Sequence, residues 1–178
     1  MEYHRFLLAA IVFGSIIAVL IFSKPSITGF VPTSTYSQGL DIMADSSQRF
    51  ILKSPTGQPL GINSLSLSGV VSGSGLVNIY LSDGQTKLLA FSNKEKIESA
   101  MQHITGLAVA NIIVEPGQRI DLIESVPDGY KTTSGGFQNE CMETCLIDIN
   151  LGSQAFLDII VEPGTSVKLT ELRFTSRS

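Results

Sequence analysis

Seventeen consecutive residues, Phe6–Phe22 (FLLAAIVFGSIIAVLIF), carry no charge and stand between Arg5 and Lys24. At about 1.5 Å of helical rise per residue, such a run covers most of a hydrocarbon core about 30 Å thick. The expectation is one transmembrane anchor over Phe6–Phe22, with membrane lipid as its partner. A cleaved signal peptide and a buried helix of a soluble protein compete with this reading. A cleaved signal wants small residues at alternate positions before the cut. The run instead ends Ile21, Phe22, Ser23, Lys24, Pro25, and it is longer than a typical signal core. We therefore read it as an uncleaved anchor.

Orientation is weakly encoded. Arg5 and the amino terminus, offset by Glu2, face Lys24 across the run. A short tail before a long domain favours export, so the expected location is the cell membrane, single-pass, with an extracytoplasmic C-terminal domain. From Pro25 onward there are ten Lys and Arg against fifteen Asp and Glu. No basic patch exists, so nucleic acid is excluded as a partner on electrostatic grounds.

About 150 residues follow the anchor, enough for one domain with its own core. Abundant Gly and Ser and the lack of long amphipathic charged stretches point to an all-β domain with many turns. The organisation expected is a tail over 1–5, the anchor over 6–22, a Ser/Thr/Pro-rich linker over 23–47, and a β-sandwich over 48–178. Strands are expected at Arg49–Lys53, Ser64–Val71, Leu76–Leu81 and Lys87–Ser92. Further strands are expected at Leu107–Val114, Arg119–Glu124, Cys145–Asn150, Ala155–Val161 and Ser166–Phe174. In Ser64–Val71, Leu65, Leu67 and Gly69 alternate with Ser64, Ser66 and Ser68, the period of a half-buried strand. Asp83-Gly84 is a hairpin signal and Pro127-Asp128-Gly129 a turn. Lys94–His103, with Asn93 as its candidate cap, is the one stretch that reads as a soluble helix, with a structured loop as the equal alternative. In the last strand the apolar phase slips from Val167 and Leu169 to Leu172 and Phe174, which predicts a bulge near Thr170-Glu171.

The hexapeptide IIVEPG occurs twice, at Ile112–Gly117 and Ile159–Gly164. Each copy reads as a buried strand followed by a Pro-Gly turn and a second strand, since Pro presets φ and Gly supplies φ > 0. Convergent turn chemistry and duplicated hairpins both account for the echo, and neither makes Glu115 or Glu162 catalytic.

Cys141 and Cys145, in NECMETCL, are the only cysteines. Three readings are open: a disulfide, a metal pair, or free thiols. An exported domain stands where disulfides persist, whereas a metal pair needs two more ligands and His103 is the only other soft one in the domain. The C-x3-C spacing is not the C-x2-C redox motif. A disulfide also predicts a turn at Met142–Thr144. Glu140, Glu143, Asp148 and Asp158 read as carboxylates on solvated faces rather than as the paired acids of glycoside hydrolysis. No loop carries an Asp-x-Asp-x-Asp run for calcium, so no metal or cofactor is assigned. Gly73-Ser74-Gly75 and Gly135-Gly136 lack the Lys-Ser/Thr and helix of a phosphate loop, and no G-x-S-x-G occurs. Tyr130 and Phe137 bracket the loop Lys131–Gly136 and are the residues expected to form the rim of any binding face. Tyr80, in a strand, is expected to be packed.

Three stretches resemble uncharacterised, N-terminally anchored surface proteins of archaea: SLSLSGVVSGSGLVNIYL (Ser64–Leu81), CMETCL (Cys141–Leu146) and the hairpin VEPGTSVKL (Val161–Leu169). The resemblance implies a jelly-roll sandwich similar to galactose- or carbohydrate-binding modules, although this chain has no Trp. The fold class expected is therefore all-β: a single jelly-roll-like antiparallel β-sandwich preceded by an N-terminal transmembrane helix. The first functional reading is a non-enzymatic surface module with a structural, adhesive or partner-binding role, its partner a surface glycan or another surface protein. A carbohydrate-binding module is the second. A pilin-like filament subunit is the third, disfavoured because Met1–Arg5 lacks a Gly or Ala at a processing site. An enzyme comes last.

Overall fold

In the computed structural model of the chain, residues 33–96, 112–122 and 124–177 are described. In chain order the strands are β1 (Thr33–Ala44), β2 (Gln48–Lys53), β3 (Ile62–Ser72), β4 (Val77–Ser82), β5 (Lys87–Ser92), β6 (Lys94–Lys96), β7 (Ile113–Arg119), β8 (Tyr130–Thr132), β9 (Gly135–Glu140), β10 (Gln154–Val161) and β11 (Ser166–Arg177). A 3₁₀ turn, η1 (Glu143–Cys145), lies between β9 and β10. One sheet has the order β1-β11-β3-β9, the other β5-β4-β10-β2-β7, and β6 pairs with β8. All the pairings are antiparallel.

The alternation read in Ser64–Val71 is the reason the sheets share a core. Leu65 and Leu67 face inward with Leu172 and Phe174 beside them, against Leu52, Ile79, Leu81, Leu157 and Ile159 of the second sheet. The bulge expected in the last strand is present. Leu169 pairs with Gly69 and Glu171 with Ser68, leaving Thr170 as the extra residue. That single insertion lets Leu169 and Leu172 both point inward.

Several sequence expectations are corrected. The stretch 23–47 is not linker throughout: β1 occupies its second half, paired along its length with β11, so the described strands begin at Thr33 rather than after residue 48. Tyr36, Leu40, Ile42 and Ala44 fall at alternate positions against the core, a period-2 pattern hidden among Ser, Thr and Gly. The expected helix Lys94–His103 begins instead as β6, while 97–103 lie outside the described residues. Asn93 is not free to cap it. Its Oδ1 accepts the N–H of Val77 (2.7 Å) and its Nδ2 donates to the carbonyls of Gly75 (2.9 Å) and Thr133 (3.1 Å). In the expected strand Arg119–Glu124, β7 ends at Arg119 and the chain crosses to Ser47, whose carbonyl accepts from Ile120 N (3.1 Å). Cys145–Asn150 is likewise not a strand but the end of η1 and an irregular stretch. Of Leu107–Val114, only Ile112–Val114 are described, and Ile113 starts β7. Among the described residues no helix is long and apolar enough to cross a membrane; Phe6–Phe22 lies outside them.

The two IIVEPG copies fold differently. In the second, Thr165 N donates to Glu162 O (3.1 Å) and Gly164 has φ +83°, a turn with Pro and a left-handed Gly at its centre. In the first, β7 runs straight through Pro116-Gly117. β7 is an edge strand, so Pro116 removes no ladder donor that the sheet needs. Gly117 is needed for a different reason: a Cβ there would collide with the carbonyl oxygen of Arg49, where the β2–β7 register shifts.

The two glutamates diverge accordingly. Glu162 Oε2 accepts the part-buried N–H of Leu76 (2.7 Å), whereas Glu115 makes an exposed ion pair with Lys53. Glu162→Ala is expected to cost about 1.5 kcal/mol of stability and Glu115→Ala no more than about 0.5 kcal/mol. Urea unfolding of both variants checks this, and equal losses would contradict the assignment of different roles to one hexapeptide.

Candidate functional site

Among the described residues, a connected set of ionisable side chains lies on the face of the second sheet that points away from the core. Register builds it: Asp158 of β10 sits opposite Arg49 of β2 and Tyr80 of β4. The Asp158 side chain is 0% exposed. Arg49 clasps it with two bonds, Nε to Oδ1 at 2.6 Å and Nη2 to Oδ2 at 2.8 Å, and Lys87 Nζ stands 3.4 Å from Oδ2. The guanidinium also lies over the Phe156 ring, 4.8 Å from its centroid, so its flat faces are partly desolvated. Burial alone pushes the Asp158 carboxyl up. The hydrogen bonds and charge of Arg49, with Lys87 adding to them, outweigh burial and hold it below the ordinary aspartate range.

Next to this pair, Tyr80 donates its hydroxyl to Glu124 Oε2 (2.9 Å), and Asn78 Nδ2 donates to the same oxygen. Burial first, then the Glu124 acceptor, raises the Tyr80 pKa. Residues 120–122 are tied to this end of the sheet by Ser47, whose Oγ donates to Leu122 O (3.0 Å) and accepts from Val161 N (3.1 Å). Chemically, the arrangement keeps Asp158 ionised with both oxygens occupied and keeps the Tyr80 proton in place. It is a lock across β2, β10, β4 and β5, not a poised acid and base. Sequence reasoning placed Asp158 on a solvated face and left out Arg49, Lys87 and Glu124.

The residues singled out from the sequence do not converge. Tyr130 is 37% exposed, on β8, with Lys94 Nζ 4.9 Å from its ring centroid. Phe137 is 9% exposed and stacks on Phe91 at 3.8 Å between centroids. The expectation of Phe137 on an exposed rim is therefore corrected: its ring fills the space above Gly69 in the core, where a Cβ on Gly69 would lie 2.9 Å from Phe137 Cζ. Cys141 and Cys145 form a disulfide with Cα atoms 5.1 Å apart, and the turn expected at Met142–Thr144 is present as η1. Of the flanking carboxylates, Glu143 accepts the N–H of Leu89 (2.7 Å).

No family model, no curated protein and no solved structure matches the chain. Among the described residues, no group of three His, Cys, Asp or Glu side chains is placed to hold a metal ion. A shallow cleft of about 370 Å³ opens between the Asp83 turn and the Asn150–Gln154 segment. Its polar atoms largely serve those turns. Asp83 Oδ1 accepts from Gln85 N (2.8 Å) and Thr86 N (2.7 Å), and these bonds lower its carboxyl pKa. Asn150 Oδ1 accepts from Gly152 N (3.1 Å).

Proposed function

We propose that the chain is a membrane-anchored extracytoplasmic β-sandwich module with a structural or partner-binding role, held by a transmembrane helix over Phe6–Phe22. The observation that carries this reading is that the ionisable groups of this face are spent on one another: Asp158 on Arg49 and Lys87, and Glu124 on Tyr80 and Asn78. Such a face stiffens a scaffold and leaves no group activated for chemistry. The Cys141–Cys145 disulfide supports an oxidising compartment.

The strand orders support the finer description of the fold as a jelly roll. With β6, β7 and β8 set aside, β1, β11, β3 and β9 interleave in one sheet and β2, β10, β4 and β5 in the other. β7 then extends an edge, and β6 with β8 forms a separate two-stranded sheet. The carbohydrate-binding alternative has lost one of its two aromatic residues to the core.

The anchor is tested by fractionating cells that express the full chain. The protein should sediment with membranes and be released by detergent but not by high salt, and deletion of 6–22 should move it to the soluble fraction. Full-length protein in the soluble fraction would overturn the proposal.

A further inference from the structure

The short disulfide loop reaches both sheets. Met142 N donates to Ala90 O (3.2 Å) and Leu89 N donates to Glu143 Oε2 (2.7 Å), both on β5. Thr144 Oγ1 donates to Leu65 O (2.7 Å) and Ile147 N donates to Asn63 O (2.7 Å), both on β3. β5 is an edge strand of its sheet. It is bulged where the loop meets it: Tyr80 pairs with Leu89 and Ile79 with Phe91, leaving Ala90 as the unpaired residue. The bulge turns the Ala90 carbonyl out of the ladder, and the loop takes it. An edge with unsatisfied backbone groups is a template for strand addition, and here the loop supplies the missing partners.

Cys145 is exposed and Cys141 half-buried, so the bond can be reached from solvent. Among the loop residues only Thr144 and Ile147 are buried. We infer that the Cys141–Cys145 disulfide is the latch of a removable cover over the β5 edge, opened by thiol–disulfide exchange with a dithiol. In that exchange a thiolate of the dithiol attacks one sulfur and the Cys141–Cys145 bond breaks. The mixed disulfide is then resolved by the reagent's second thiol. The protein gains two thiol protons, and the reagent leaves as its own cyclic disulfide. Without the bond the loop must meet the ordering cost of its closed form unaided, and the Leu89 N–H and Ala90 carbonyl lose the partners that the loop supplies.

The test is hydrogen–deuterium exchange of the full chain in detergent, oxidised and after dithiothreitol, with a Cys141→Ser/Cys145→Ser double variant as a second arm. Peptides containing Leu89, Met142 and Ile147 should exchange at least about tenfold faster on reduction and in the variant, with β10 and β11 peptides changing far less. Unchanged exchange at those amides in either arm would show that the loop stays shut without its bond. An equal rise throughout β10 and β11 would show that the bond supports the whole fold. Either result overturns the latch.

Discussion

Phe137→Ala is expected to lower the stability of the domain by about 3–4 kcal/mol and to shift its urea midpoint down without changing the strand-dominated circular dichroism spectrum of the folded form. The ring stacks on Phe91 of the opposite sheet and covers Gly69, which offers no side chain of its own. Truncation therefore removes a pairing between sheets and leaves a cavity that glycine cannot fill. The adjacent backbone is constrained, because a Cβ on Gly69 would also strike the carbonyl oxygen of Lys168. Tyr130→Ala, by contrast, removes an exposed ring and should cost less than about 1 kcal/mol. Equal small losses at both positions would return Phe137 to the surface.

Asp158→Asn should cost about 2–3 kcal/mol. Removing one partner of a buried ion pair leaves the other charge uncompensated, at about 3–5 kcal/mol for a fully buried pair. Arg49 and Lys87 keep side chains 32% and 41% exposed, so both can rehydrate, and the lower figure applies. The loss should depend on pH in a defined direction. The folded-state pKa of Asp158 lies below its unfolded value, which is about 3.9. The stabilisation is therefore complete above that value and is lost as pH falls through the lower folded value. The gap between wild type and Asp158→Asn, followed by urea unfolding, should be constant from neutral pH to about 5 and close on further acidification. A gap that persists unchanged to pH 2 would mean that the asparagine fails for a reason of shape, not charge.

Local pattern carried much of the fold. Leu65 and Leu67, the Asp83-Gly84 turn, the long β10 and β11 strands and the slip at Thr170 were all legible, because each is written within a few neighbouring residues. What failed was set by distant partners. Asn93 looked like a helix cap until Val77, Gly75 and Thr133 claimed its amide. Pro116-Gly117 had the residues of a turn, yet an edge position and the Arg49 carbonyl made it a strand. β1 was masked by Ser and Thr on its outward side. The disulfide was one of three open readings of the cysteine pair, and its connectivity was legible because no third cysteine competes. The charged face was not: Arg49 and Asp158 are 109 residues apart, and only the β2–β10 register brings them opposite each other. Phe137 sits in a Gly-rich segment that resembles an exposed loop, and nothing local reveals that Gly69 leaves a hole for its ring.

The proposed function requires the domain to lie outside the cell, and labelling of intact cells with a membrane-impermeant amine reagent tests that directly. Lys131 and Lys168 have side chains more than half exposed. Both should be modified in intact cells as fully as in lysed ones, as read by mass spectrometry of the recovered chain. Modification of Lys131 and Lys168 only after lysis would place the domain inside the cell and contradict the proposed function.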